Sequence, residues 1–272
     1  MTEQSRAAAK ARKRIKTDQP HTARIWNYWL GGKDNYEVDQ AAGDHIRTLH
    51  PGIGDYALAD RLFLGRAVTY LVEERGIRQF LDIGTGLPTA DNTHEVAQRI
   101  APESRIVYVD NDPIVLAHAE ALLTSTPEGR TDYLDEDLRN VDAILELASR
   151  TLDFDQPIAL MLLGVIIFID DDNEAYALVR HLLERLPAGS YLVLSHTVTR
   201  EDMPDVDAAV RFWNEHGTPK LTQRTPEDVA RFFDGLELLE PGVVSCNRWR
   251  APNADTDESP EVAMFAGVGY KP

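Results

Sequence analysis

Long apolar runs are missing from this 272-residue chain. A membrane-spanning helix needs about 18 such residues. The longest apolar stretch, 158–169, is shorter and suits a buried strand. Cysteine is almost absent. A lone Cys246 can form neither an internal disulfide nor a thiolate zinc site, which fits a reducing, cytoplasmic setting. The first residues are basic and lack the apolar core of a secretory signal. The eight histidines are scattered, with no H-x-E-x-H spacing and no Ser-His-Asp pattern, so no metal site and no nucleophilic triad is read. The dinucleotide fingerprint G-x-G-x-x-G is also missing.

Positive charge is scarce and unevenly placed. The net charge is −17. Residues 1–16 hold Arg6, Lys10, Arg12, Lys13, Arg14 and Lys16 against Glu3, a local sum of +5 that leaves −22 on the rest. An acidic body repels phosphate backbones, which argues against a nucleic-acid partner. Residues 1–20 read as a disordered basic tail, solvated rather than structured.

What is present is the composition of a globular domain, 43% hydrophobic and 27% charged, long enough for one full α/β core. Residues 21–78 are rich in aromatics and glycine at first and then helical; they read as a helical lid. From residue 79 onward strands and helices alternate. Strands are predicted at 79–83, 105–110, 131–134, within 157–168 and at 190–195, with helices at 89–100, 112–123, 137–152 and 173–186 between them. Two helices follow, at 205–216 and 226–233, and two strands, at 236–245 and 262–270, flank a polar loop at 251–260. Apolar strands joined by helices predict a doubly wound, mostly parallel seven-stranded sheet with an antiparallel C-terminal edge.

In such a sheet ligands lie beyond the carboxyl ends of the strands. Gly84-Thr85-Gly86 falls at one of these ends, just before a helix. Glycines there allow close approach of the backbone, whose N–H groups hold anionic or polar ligand atoms. Asp82 stands two residues earlier, where its carboxylate would repel a pyrophosphate and tolerate a cationic cofactor. Asp110 closes the next strand and is placed to accept hydrogen bonds from ribose hydroxyls, with Asn111 beside it. Asp137 follows the third strand and either receives an adenine amino group or caps its helix. NAD enzymes share the acidic residue after the second strand, so an NAD-dependent oxidoreductase is the rival reading.

Together, Asp82-x-Gly84-x-Gly86, Asp110 and Asp137 resemble the cofactor motifs of class I, Rossmann-like methyltransferases. The segment His21-Thr-Ala-Arg-Ile-Trp-Asn-Tyr-Trp-Leu-Gly-Gly-Lys-Asp-Asn-Tyr36 is similar to the signature of an actinobacterial family called S-adenosyl methyltransferase, a former domain of unknown function. Its D-I-G-x-G-L-P-T and Y-V-D-x-D-P segments are matched at 82–89 and 108–113. The resemblance implies S-adenosylmethionine as cofactor, S-adenosylhomocysteine as product and a small-molecule methyl acceptor. It names no acceptor, and no motif specifies an oligomeric state.

Within the signature, Arg24 is a candidate clamp for the methionine carboxylate, and Tyr28, Asn35 and Tyr36 are candidate cofactor contacts. Gly31-Gly32 offers a hinge for a lid. The stretch 164–169 lacks the histidine that many small-molecule methyltransferases carry after the fourth strand, which keeps a non-catalytic, regulatory SAM-binding protein as a second rival. No N-P-P-[YF] segment occurs there, which argues against amino methylation of adenine or glutamine. By position, His196 is the candidate general base, with His94 and Glu95 behind it.

Overall fold

The β-rich runs form the strands their patterns predict, and the strands form one sheet. In this computed structural model, residues 16–88, 90–122, 124–252 and 260–272 are described. The basic residues up to 15, Thr89, Leu123 and the middle of the 251–260 loop lie outside them. The strands are β1 (Gln79–Ile83), β2 (Arg105–Asp110), β3 (Arg130–Asp135), β4 (Ala159–Leu163), β5 (Tyr191–Thr197), β6 (Glu237–Leu238), β7 (Val244–Ser245) and β8 (Met264–Tyr270). Their order is β3-β2-β1-β4-β5-β8-β6, with β7 also pairing β8. The first five are parallel, and β8 runs antiparallel to β5.

The expected architecture therefore holds, with an eighth strand added. The segment 236–245 does not stay one strand. It breaks at Pro241 and at Gly242, which adopts φ +91, leaving the two-residue pieces β6 and β7. β1 and β5 are buried along their whole length because helices cover both faces.

The helices are α1 (Thr22–Trp29), α2 (Glu37–Leu49), α3 (Ile53–Glu73), α4 (Thr93–Ile100), α5 (Pro113–Leu122), α6 (Val141–Ala148), α7 (Asp172–Glu184), α8 (Pro204–His216) and α9 (Pro226–Ala230). The helix expected from residue 89 starts at Thr93, because Asn92 and Glu95 cap each other's backbone there. The one expected from 137 starts at Val141, after a turn closed by Asn140 N–H donating to the Asp137 carbonyl. Asp112 caps α5 by accepting from Ile114 N–H at 2.9 Å, with Pro113 in the first turn.

The predicted lid divides in two. α3 buries Phe63, Ala67, Val68 and Leu71 completely and belongs to the layer packed on the sheet. α1 and α2 pack on each other and give Trp26, Trp29 and Ile46 to the walls of a cavity at the carboxyl ends of the strands. No helix among the described residues is long and apolar enough to cross a membrane.

Candidate active site

Parallel register brings the ends of β1, β2, β3 and β4 to one edge, and a cavity of about 620 Å³ opens there. That volume lies within the roughly 300–1,000 Å³ typical of small-molecule sites. The strand order reverses between β1 and β4, so the cavity sits at the topological switch point.

The glycine turn has a specific shape. Gly84 adopts φ +79 and donates its N–H to the Val109 carbonyl at 2.8 Å. A Cβ on Gly84 would lie 2.3 Å from Val165, so both backbone and space demand glycine. Gly86, at φ +63, faces open space and donates its N–H to Asp110 Oδ2 at 2.9 Å. Asp110 Oδ1 accepts from Asp112 N–H at 2.9 Å. Burial pushes the Asp110 carboxyl up to about 6, against the lowering effect of these two N–H groups. Asp82 accepts from Thr93 Oγ1 at 2.6 Å, and burial also raises it to about 6. Asp137 accepts from Asn111 Nδ2 at 3.0 Å and from Arg139 N–H at 2.9 Å, so it holds a turn and not a helix cap. Asp82, Gly84, Gly86, Asp110, Asn111 and Asp137 all line the cavity.

The N-terminal candidates are placed differently. Arg24 is buried away from the cavity. It donates to Asp39 Oδ2 at 2.7 Å, to the Lys16 carbonyl at 2.9 Å and to the Gln19 carbonyl. All three of its guanidinium nitrogens are engaged, with Asp39 and with the chain before α1, and it does not line the cavity, so it is not the carboxylate clamp the sequence suggested. Tyr28 donates to Asp44 at 2.8 Å, Asn35 donates to Asn27 Oδ1 and to the Gly32 carbonyl, and Tyr36 lies under Arg24. None of these three lines the cavity. Gly31-Gly32 is a tied turn and not a free hinge. Asn27 accepts from Asp34 N–H and Asn35 Nδ2, and its amide fills the place of a Gly32 Cβ at 2.3 Å.

His196 is corrected as well. It lies within β5 with no exposure, its Nδ1 beside the Thr197 carbonyl and its Nε2 2.8 Å from Arg224 Nη1. Burial lowers it to about 3. It is a neutral core side chain outside the cavity lining. His94 pairs with the Tyr108 hydroxyl at 2.9 Å, and Glu95 caps its own helix, so both are structural.

Sequence reasoning missed two groups. Arg61, on α3, lines the cavity and donates to the Ala90 carbonyl and Asn92 Oδ1. Burial lowers its guanidinium, while Asp82 pulls it back up. The polar pair Asp60-Arg61 inside the apolar run of α3 was the available signal. His50, just after α2, also lines the cavity, with Nδ1 paired to Asp205 Oδ2 and a buried Nε2 that has no partner. Its partner is 155 residues away, and no local pattern marks it.

His21 lies 2.9 Å from Asp112, tying the start of α1 to the cap of α5. Burial alone would raise Asp112, but His21, the Ile114 N–H and Arg24 together outweigh it and the carboxyl is lowered. Two further lining atoms, Thr85 Oγ1 and Tyr133 Oη, are buried without partners.

Comparison with known proteins fits this geometry. The family model described as S-adenosyl methyltransferase matches residues 8–272. A DUF574 family protein from Streptomyces avermitilis MA-4680 is 44% identical, with a TM-score of 0.90 over 94% of this chain and 99% of that one. A protein from Thermobifida fusca YX is 37% identical, with a TM-score of 0.86 over 93% and 95%. Magnesium protoporphyrin IX methyltransferase from Synechocystis PCC 6803, with bound SAH, is 14% identical with a TM-score of 0.54 over 91% and 93%, a likeness of fold alone. Comparison with curated proteins gave no match.

Proposed function

The chain belongs to the S-adenosyl methyltransferase family, and we propose that its cavity binds S-adenosylmethionine and passes the methyl group to a small molecule. The observation that carries this reading is the row of carboxylates Asp82, Asp110 and Asp137 along β1, β2 and β3 at one cavity. A pyrophosphate would face Asp82 across the glycine turn and be repelled; a cofactor carrying an ammonium group would be attracted.

The residues present fit the group. Each Asp110 oxygen already accepts one backbone N–H and keeps capacity for a ribose hydroxyl. Asn111 and Asp137 present amide and carboxylate groups for an adenine edge. Arg61 is the guanidinium on the glycine-turn side and takes over the carboxylate-binding role that Arg24 cannot fill. Thr85 Oγ1 and Tyr133 Oη are buried polar atoms that lack partners within the protein. Their cost, about 1–3 kcal/mol for each unsatisfied group, is removed if a ligand supplies hydrogen bonds.

When bound, S-adenosylmethionine supplies an electrophilic methyl group on a sulfonium centre. The protein aligns the acceptor and excludes water. Trp26 and Trp29 of α1 serve that role from above the strand ends.

Calorimetric titration tests the reading. S-adenosylmethionine and S-adenosylhomocysteine are expected to bind, and NAD is not. Binding of NAD without the methyl donor would sink the proposal.

A further inference from the structure

Asp82, Asp110 and Asp137 serve one end of the cavity. They stand over β1, β2 and β3, whereas Thr197 ends β5, which lies two strands beyond β1 on the other side. Two strand spacings amount to about 10 Å, which leaves room beside a ligand laid over β1–β3. This second end is walled by Trp26, Ile46, Tyr56, Val210 and Trp213. Trp26 and Tyr56 meet edge to face at 5.6 Å. Its polar groups are largely spent. The Trp213 indole N–H donates to the Pro219 carbonyl at 2.7 Å, and the Tyr56 hydroxyl pairs with Thr197 Oγ1. His50 Nε2 remains, buried and without a partner. Because a carboxylate only accepts, the Asp205 contact puts a proton on Nδ1, and in the neutral ring Nε2 then carries the lone pair.

Resting on the methyl-transfer reading above, we propose that this end is the acceptor subsite, that it takes a planar phenol, and that His50 is the general base held in position by Asp205. The walls suit a flat aromatic ring. The lone pair requires a donor, and a phenol, which ionises at about 10 as tyrosine does, gives up its proton more readily than other neutral hydroxyls. An aliphatic hydroxyl is far less acidic. An ammonium ion has no lone pair to attack with; Asp205 is engaged by His50, and the buried Asp60 carboxyl that also lines the cavity is held by the Ser195 hydroxyl and the Cys246 thiol.

In the step, His50 Nε2 takes the phenol proton as the oxygen electron pair forms the new O–CH3 bond. The methyl–sulfur bond breaks, and its electron pair stays on sulfur, giving the neutral thioether of S-adenosylhomocysteine. Asp205 balances the imidazolium until the proton passes to water. The organic product is an aryl methyl ether. His50 thus supplies from the lid the histidine that the stretch after β4 lacks.

The test incubates the protein and S-adenosylmethionine with 2-naphthol, catechol, 2-naphthylamine or cyclohexanol, reads products by mass spectrometry, and measures donor binding by calorimetry in parallel. Methyl ethers of the two phenols are expected. H50Q should lower kcat by about 10²–10⁴-fold, the usual contribution of a general base, with donor affinity unchanged within threefold. D205N, changed on a different helix, should lower kcat at least tenfold with KM unchanged within threefold, and it carries the test if H50Q does not fold. Donor binding without methylation of either phenol overturns the subsite proposal and leaves the methyl-transfer reading standing. So does methylation confined to the amine or the aliphatic alcohol, or H50Q turnover within threefold of the parent. Failure to bind the donor overturns the methyl-transfer reading, and this proposal with it.

Discussion

The Arg24 guanidinium meets the Asp39 carboxylate at 2.7 Å, and neither side chain reaches solvent appreciably, with exposures of 4% and 0%. Asp39 also accepts from the His21 and Tyr36 N–H groups, each at 2.9 Å. One buried carboxylate therefore fixes α1 to α2, and Arg24 completes its charge balance. Arg24→Met should cost about 3–5 kcal/mol of unfolding free energy, because it leaves Asp39 buried and uncompensated. The double variant Arg24→Met/Asp39→Asn should recover part of that loss. Urea denaturation checks both. A loss below 1 kcal/mol in the single variant would mean the pair does not organise the cover.

Asp110→Ala should weaken S-adenosylmethionine binding by about 1.5–3 kcal/mol, the scale for losing hydrogen bonds to a charged acceptor. Calorimetry reads this directly, and unchanged affinity would remove Asp110 from the ribose role.

Acid should weaken binding earlier than for ordinary carboxylates. Burial raises Asp82 and Asp110 to about 6, and a cationic, hydroxyl-donating ligand favours their ionised forms. As pH falls below about 6, affinity should drop by up to about tenfold per pH unit for each group that must ionise. The effect on folding has the opposite sense. These two carboxyls hold protons more tightly folded than unfolded, so folding takes up protons between about 4 and 6. Their contribution to ligand-free stability therefore falls as pH rises through that window. Titrations at pH 5, 6 and 7.5, paired with melting curves, separate the two. Constant affinity across that range would contradict the assignment.

Gly84→Ala should destabilise more than Gly86→Ala. Both positions carry positive φ, but only at Gly84 does a Cβ collide, 2.3 Å from Val165, whereas Gly86 has nothing within 4 Å. Strain alone costs about 1–3 kcal/mol, and overpacking adds about 1–3 kcal/mol at Gly84. Equal melting temperatures for the two variants would refute the close approach.

Cys246 should resist thiol reagents in the native protein. It is fully buried, and that burial, with Asp60 3.7 Å away, pushes its thiol well above the usual range. Labelling should follow global unfolding; labelling as fast as in a short peptide would contradict the burial.

Much of the frame was readable in the chain itself. Periodicity located β1 and β2 to the residue, because a strand covered on both faces must be continuously apolar and β-rich. The residue types Asp82, Gly84, Gly86, Asp110 and Asp137 were legible because each stands at a strand end, and in a parallel sheet those ends share one edge. Side-chain roles in 21–36 were not legible. Arg24 has the chemistry of an anion clamp, but which anion it meets depends on packing, and the fold sets Asp39 2.7 Å away. His196 was misread for a related reason. Strand position fixes how far along the edge a residue lies, but the face it presents is set by the register with β8, where it opposes Phe265 in the core.

The chain carries no metal-ligand spacing, no triad pattern and no dinucleotide fingerprint, yet it has one glycine turn preceded by a carboxylate. The sequence alone determined the doubly wound sheet, the glycine turn and the three carboxylates, because local periodicity and strand ends encode them. Only the tertiary structure decided that Arg61 faces the cavity in place of Arg24, and that His50 and Asp205 meet across 155 residues. Pairings between distant elements follow from how helices dock on the sheet, and no local pattern of residues carries that information.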